Sequence, residues 1–114
     1  EEKMEKISRI DRYLCERFSC FLDQLKSIRE GERTLLDNSM IVYGSAISDG
    51  NRHNHDDLPL ILAGRAGGTI ESGRHITFPK ETPLNNLFLT MSDHIGGPIE
   101  QIGNSTGRLS LSAS

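Results

Sequence analysis

Two short apolar runs separated by a polar stretch constrain the fold more than any other feature of this 114-residue sequence. The first run is MIVY at positions 40–43, and the second is LPLILAG at positions 58–64. Nearly continuous apolar runs of this length are typical of strands that are covered on both faces. Because two such strands make a poor sheet alone, the pattern predicts an α/β fold in which they join the strands of a larger domain.

The thirty residues before these runs have the pattern of one long amphipathic helix, with apolar side chains at steps of three and four residues. These side chains are Met4, Ile7, Leu14, Phe18, Phe21, Leu25 and Ile28. We predict a helix of about 28 residues, about 42 Å long, which Gly31 ends. A helix of this length needs a large partner surface. Coiled-coil pairing is the alternative, although Asp11 interrupts its seam.

Two cysteines, Cys15 and Cys20, fall inside this helical pattern. Five residues along a helix rise about 7.5 Å and turn to a different face, which disfavours a disulfide between them. We interpret both as small packing residues.

A second, shorter helix is predicted within ETPLNNLFLTMSDHIGG at positions 81–97. Thr82 is suited to the N-cap and Pro83 to the first helical position, while the pair Gly96–Gly97 closes the helix. Its apolar stripe comprises Leu84, Leu87, Phe88, Met91 and Ile95. The remaining tail, residues 102–114, is small and polar, and we predict that it pairs little.

The charge balance excludes some classes of partner. Thirteen basic and sixteen acidic residues give a net charge of −3, without a basic excess, so we predict no nucleic-acid partner. No apolar run approaches about 18 residues, so no membrane span is predicted. The charged N-terminus lacks the apolar segment of a signal peptide. A chain of this length is at most one domain.

The polar stretch at positions 46–57, AISDGNRHNHDD, concentrates side chains that can bind metal. Neutral imidazoles and carboxylates are ligands for zinc and other divalent ions, and α/β sheets place their sites at strand ends. We predict His53, His55, Asp49 and Asp57 as candidate metal-site residues. In an extended loop the two histidines would face the same way, and Asp57 could orient one of them. Alternatively, the aspartates are ordinary turn residues that bind backbone amides.

Several longer segments resemble the C-terminal region of HXXSHH motif-containing proteins, an exported bacterial family of unknown function. The matching segments are RIDRYLCERFSCFLDQLKSI, SDGNRHNHDDLP, GRHITFPKETPLNNLFL and NSTGRL, of which SDGNRHNHDDLP is the most specific. The resemblance implies that residues 1–114 are a single C-terminal fragment of a larger α/β domain. It also implies a periplasmic or secreted location, and the remainder of the parent polypeptide as the partner.

A more distant likeness connects the chain with alkaline phosphatases and sulfatases. LLDNSMIVYGS is similar to the strand that leads into a metal-ligand loop there, and HNHDDLPLILAG is similar to a later segment with a ligand histidine, here His53. The resemblance implies a partial alkaline-phosphatase-like sheet, central and mixed, with helices on both faces. One acidic ligand of the superfamily falls on Ala46 in a gap-free alignment, and Asp49 takes its role if the loop is three residues longer.

Three functional hypotheses follow from these features. The first is a metal-dependent hydrolase-like protein for phosphate or sulfate esters, in which two metal ions would activate water and hold the bridging oxygen. The second is a non-catalytic exported protein that keeps the fold and uses the loop for a structural metal, zinc or another divalent ion, or for a ligand. The third is an interaction module built on the long helix.

Five further polar residues carry weaker indications. His75 is predicted to be a surface or packed residue, and His94 complements the C-terminal dipole of the second helix. Ser45 lacks the GxSxG surroundings of a nucleophile. Arg52 and Arg74 could hold an anionic substrate, although a role in loop solubility is favoured.

Overall fold

The computed structural model describes residues 1–111 and combines two α-helices with two small antiparallel sheets. The elements are α1 (Glu2–Ser27), β1 (Arg29–Glu30), β2 (Arg33–Thr34), β3 (Ile41–Gly44), β4 (Leu60–Ala63) and α2 (Asn85–His94), with a 3-10 turn at Ala66–Gly68. The prediction of a mixed α/β chain with a long first helix and a shorter second helix is therefore confirmed.

Helix α1 has 26 residues and ends earlier than predicted. Ile28 already has an extended backbone, with φ −91° and ψ 124°. Gly31, at φ +64°, instead lies in the turn of the β1–β2 hairpin, where a left-handed backbone favours glycine. Within residues 1–111, no helix combines the length and the apolar character needed to cross a membrane.

Both cysteines of α1 are free and exposed. The interpretation of Cys15 and Cys20 as packing residues is therefore wrong. The physical reason is that α1 buries none of its side chains fully, so a small residue on it has no core to fill.

A reciprocal pair of hydrogen bonds shapes the turn that leads from β2 into β3. The Thr34 amide donates to Asp37 Oδ2 at 3.0 Å, and the Asp37 amide donates to Thr34 Oγ1 at 3.1 Å. This is the arrangement of a capping box. The hydrogen bonds from Thr34 lower the pKa of Asp37, because they stabilise its ionised form.

Strands β3 and β4 pair antiparallel, with Ile41 opposite Ala63 and Gly44 opposite Leu60. The prediction of strands at these positions is confirmed, while the prediction that a larger domain covers both of their faces is not tested by residues 1–111. No residue of β3 or β4 is fully buried, and Leu60 and Ile61 are exposed. Covering the faces of this sheet would need further packed layers, which residues 1–111 do not supply.

The small core of the described chain surrounds α2. Its buried apolar side chains are Ile70, Leu87 and Leu89, and its buried polar side chains are Asn86, Thr90 and Ser92. The helix ends as predicted: Gly96 N–H donates to Asp93 O and Gly97 N–H donates to Ser92 O, which is a Schellman motif.

The start of α2 differs from the prediction. The helix begins at Asn85, and Thr82 does not cap it, because the Thr82 hydroxyl donates to the Pro79 carbonyl instead. The Asn86 amide donates to Pro83 O, an i→i−3 bond typical of a tighter lead-in turn.

The tail up to Leu111 packs along α2, contrary to the prediction that it pairs little. Its backbone at Thr106 and Leu109 is hydrogen-bonded to side chains of α2, and Arg108 forms a salt bridge with Asp93. The prediction rested on the small polar residues of the tail. Such residues can also pack closely against a helix whose own face is polar. Residues 112–114 of the predicted tail lie outside the described residues.

Candidate functional site

The candidate site is the loop of residues 45–59, which joins β3 to β4. The pairing of Gly44 with Leu60 holds the two ends of the loop together. A Cβ atom on Gly44 would lie 2.8 Å from the Pro59 carbonyl oxygen and would overlap the Leu60 side chain. Glycine is therefore required at the base of the loop, where the two backbones approach closely.

Asn54 organises the tip of the loop. Its Oδ1 accepts hydrogen bonds from Ser48 Oγ at 2.9 Å and from the Asp49 amide at 3.1 Å. Its carbonyl oxygen accepts from the Ser48 amide at 3.0 Å. The role of Asn54 could not be predicted, because nothing in the sequence pattern distinguishes it from the neighbouring Asn51.

The carboxylate of Asp49 is used within the loop. Its Oδ1 accepts from the Asn51 amide at 2.9 Å and from the Arg52 amide at 3.3 Å. Its Oδ2 lies 3.7 Å from Arg52 Nε. This is the geometry of an Asx turn, the alternative role for the aspartates. Arg52 accordingly faces Asp49, and the Asp49 carboxylate offsets part of the positive charge of Arg52 within the loop.

Two candidate residues have left-handed backbones. His53 has φ +55° and Asp57 has φ +50°, and the His53 amide donates to the Asp49 carbonyl at 2.8 Å. The loop is therefore a turn at His53 rather than an extended segment. Consequently, the assumption that places the two histidines on one face by alternation is wrong, although both imidazoles are exposed.

His55 is held by a backbone carbonyl. Its Nδ1 lies 2.6 Å from the Ala46 carbonyl oxygen, which can only accept a hydrogen bond. Nδ1 therefore carries the proton, and in the neutral ring Nε2 keeps its lone pair. Histidines that bind metal are commonly oriented in this way. Ala46 thus contributes its backbone carbonyl to the orientation of the His55 ring.

The four candidate residues do not form a complete metal site. Across residues 1–111, no group of three or more histidine, cysteine, aspartate or glutamate side chains is arranged to hold a metal ion. His55 fits such a site by its tautomer, whereas Asp49 is engaged by its own turn. A metal bound here would need further ligands.

The other singled-out residues lie elsewhere or have local roles. Ser45 Oγ accepts from the Ile47 amide, and His75 is exposed. Arg74 donates to the carbonyl oxygens of Glu71 and Leu111. It therefore holds the tail, so the interpretation of Arg74 as a loop-solubility residue is wrong.

His94 lies in the last turn of α2, as predicted, and borders an open groove outside the loop. The groove has a volume of about 690 Å³ and a mostly apolar lining. The His94 ring is hydrogen-bonded through Nδ1 to Thr69 Oγ1 at 2.8 Å.

Comparison of the chain with protein-family models, with curated proteins and with solved structures found no match. The family and superfamily resemblances, and the exported location that they imply, therefore stay predictions.

Proposed function

We propose that the chain is a non-catalytic part of a larger exported α/β protein, in which the apolar face of α1 binds the remainder of the parent polypeptide. This α1 face comprises Met4, Ile7, Ile10, Leu14 and Phe21. Met4 is 68% exposed, Ile10 58% and Ile7 51%. The exposure of these apolar side chains is the observation that supports the proposal, because apolar patches on a protein surface mark interaction sites.

The β3–β4 sheet supports the same conclusion. Each of its two strands has one unpaired edge, and such an edge is a template for a further strand. Ile61 lies beside Tyr43 and is 50% exposed, and Leu60 on the opposite face is also exposed. Additional strands from the parent polypeptide would pair these edges and complete a larger sheet, as in the alkaline-phosphatase-like arrangement that the resemblance implies.

The loop of residues 45–59 favours a binding role over catalysis. The resemblance aligns an acidic metal ligand with Ala46, and Asp49 is the residue that could replace it. The carboxylate oxygens of Asp49, however, are bound to backbone amides of the turn and lie near Arg52. In the proposed protein, the loop therefore binds a structural metal or another ligand. Rearranging Asp49 to bind a metal would cost its two amide hydrogen bonds.

A metal-dependent hydrolase-like role for phosphate or sulfate esters is the second candidate. The observation that favours it is the hydrogen bond from His55 Nδ1 to the Ala46 carbonyl, which leaves Nε2 able to bind zinc or another divalent ion. His53 would be the second ligand, with Asp57 assisting. A bound metal would supply an activated water at neutral pH. The protein would hold the imidazole in place through Ala46.

The α1 face is tested by its binding of an apolar fluorescent dye. The unaltered chain is expected to bind the dye, and the Ile7→Lys, Leu14→Lys double variant is expected to bind much less. Arg9→Ala changes a polar position of the same helix and serves as the control. In the parent polypeptide, hydrogen exchange at the α1 amides should be at least about tenfold slower than in this chain. Equal rates in the two proteins would contradict the proposal.

The two roles of the loop are separated by zinc titration and by assays with generic phosphate and sulfate esters. If the loop binds zinc, His55→Ala should weaken binding by about tenfold or more, while His75→Ala, an exposed histidine elsewhere, should not. Zinc binding without ester hydrolysis by the parent polypeptide supports the non-catalytic role. Hydrolysis that depends on His55 would support the second candidate instead.

A further inference from the structure

Three side chains on one face of α2 hold the tail of the chain. Asn86, Thr90 and Asp93 follow one another at steps of four and three residues, which places them on the same face of a helix. We name them the latch face, and we name residues 104–111 the strap. Asn86 and Thr90 are among the buried polar residues, at 5% and 7% exposure.

The latch face binds the backbone of the strap at two points. Asn86 Oδ1 accepts from the Thr106 amide at 2.8 Å, and Asn86 Nδ2 donates to Thr106 Oγ1 at 3.1 Å. Thr90 Oγ1 accepts from the Leu109 amide at 2.8 Å and lies 3.0 Å from the Leu109 carbonyl. Both amide and carbonyl of Leu109 are therefore within hydrogen-bonding distance of one side chain.

Between Thr106 and Leu109, a salt bridge from Arg108 to Asp93 makes the binding depend on the sequence of the strap. Arg108 Nε and Nη2 donate to the two carboxylate oxygens of Asp93, at 2.5 and 3.0 Å. Arg108 Nη2 also donates to the Ile99 carbonyl at 2.8 Å. Two-point binding of a carboxylate by a guanidinium group is strong and directional. A lysine could not reproduce it, because its ammonium group lacks the planar fork.

The connector between α2 and the strap accepts one hydrogen bond from Arg108, at the Ile99 carbonyl. Residues 95–101 are all exposed and include Gly96, Gly97 and Pro98. Beyond the helix cap, the strap is held by its contacts with the latch face, by Asn85 at Asn104 and by Arg74 at Leu111. The same contacts could therefore be made by a strap that is not covalently attached.

The geometry points to a peptide-binding site on α2: the latch face recognises a segment with the pattern Thr-x-Arg-x, and its occupant here is Thr106–Leu109. The ligand class is a peptide that offers a backbone amide and carbonyl to Thr90 and a guanidinium group to Asp93. Attached in cis, the strap benefits from a high effective concentration, and a free peptide of the same sequence binds the vacated site. This inference is independent of the proposed function.

The test cuts the folded chain without removing any residue. A specific protease site is inserted between Pro98 and Gln101, and the folded protein is cleaved there. We expect the released segment to stay bound on gel filtration and to be displaced by an excess of fluorescent peptide with the sequence of residues 102–111. Thr90→Val should weaken peptide binding by about fivefold, whereas Thr82→Val, a matched substitution outside α2, should leave it unchanged.

A second arm alters only the peptide, so that it does not depend on the folding of a variant protein. The peptide with Arg108→Ala should bind the cleaved protein about tenfold more weakly. Equal binding of the two peptides would overturn the proposal. So would irreversible loss of the cleaved segment, with no rebinding of the unaltered peptide.

Discussion

The ring of Phe18 on α1 stacks on the ring of Tyr43 on β3, with centroids 4.5 Å apart and planes inclined by 13°. This contact joins the long helix to the sheet that carries the loop. Burial, followed by the interaction with Cys15, raises the pKa of the Tyr43 hydroxyl above its usual value of 10.0, since both disfavour the charged phenolate.

Replacing Phe18 should loosen the attachment of α1. We expect Phe18→Ala to lower the free energy of unfolding by about 2 kcal/mol, because it removes both half-buried apolar area and ring stacking. Phe21→Ala removes the same side chain from an exposed position of α1 and should cost about 0.5 kcal/mol or less. Urea unfolding followed by circular dichroism measures both. Similar losses in the two variants would show that the stacking contributes little.

Gly64 is the glycine whose replacement should be most costly. Its φ is +94°, and a Cβ atom there would overlap the Ser39 carbonyl oxygen and lie 2.7 Å from the Ser39 carbonyl carbon. Gly64→Ala should therefore destabilise the chain by more than about 3 kcal/mol. Gly73→Ala, at φ +77° with nothing within 4 Å of the new Cβ, should cost only the backbone strain of about 1 kcal/mol. Thermal unfolding of the two variants separates steric overlap from strain.

The salt bridge between Asp93 and Arg108 predicts how the strap responds to acid. Hydrogen bonding by Arg108 lowers the pKa of Asp93 below its usual 3.8 in the folded chain. The resulting stabilisation is therefore fully present above about pH 4 and is lost as the pH falls through the lowered pKa.

Hydrogen exchange at the Leu109 amide, corrected for the intrinsic effect of pH, measures this response. Protection should fall below about pH 4 in the unaltered chain. In Asp93→Asn, protection should be weaker at neutral pH and nearly independent of pH in the acid range. A variant that keeps the acid response of the unaltered chain would exclude Asp93 as its source.

Asn54 should control the order of the loop tip. Asn54→Ala removes the acceptor for Ser48 Oγ and the Asp49 amide, so exchange at the Asp49 amide should be about fivefold or more faster. Asn51→Ala removes a neighbouring exposed asparagine side chain and leaves the amide of residue 51 in place, so it is the matched control. Equal acceleration in both variants would show that Asn54 does not organise the tip.

The two helices and the two longer strands could be predicted from the sequence, because each has a strong local pattern. The heptad-like spacing from Met4 to Phe21 specifies α1 without reference to the rest of the chain. The glycines at 96 and 97 specify the end of α2 through their backbone freedom. Strand burial could not be predicted in the same way, since it depends on what covers Leu60 and Ile61 rather than on their own chemistry.

The candidate site was predicted as a set of residue types, and its internal hydrogen bonds were not predictable. Whether Asp49 binds a metal or a backbone amide depends on the position of the Asn51 and Arg52 amides, which only the folded loop defines. The left-handed backbone at His53 is equally local, and such a conformation is too uncommon outside glycine for the sequence to predict it at one position. The role of Asn86 and Thr90 depends on residues about twenty positions away, beyond the reach of any local pattern.

The close approach of Gly44 to Leu60 has a consequence for how this chain could change over evolution or in the laboratory. The paired strands β3 and β4 hold both ends of the loop of residues 45–59 together. Loops of different length and composition could therefore replace it while the pairing of the strands is kept. Doubling the number of intervening residues would add only about 0.6 kcal/mol of closure entropy. The hairpin is thus a ready scaffold for displaying foreign sequences, provided that position 44 stays a glycine.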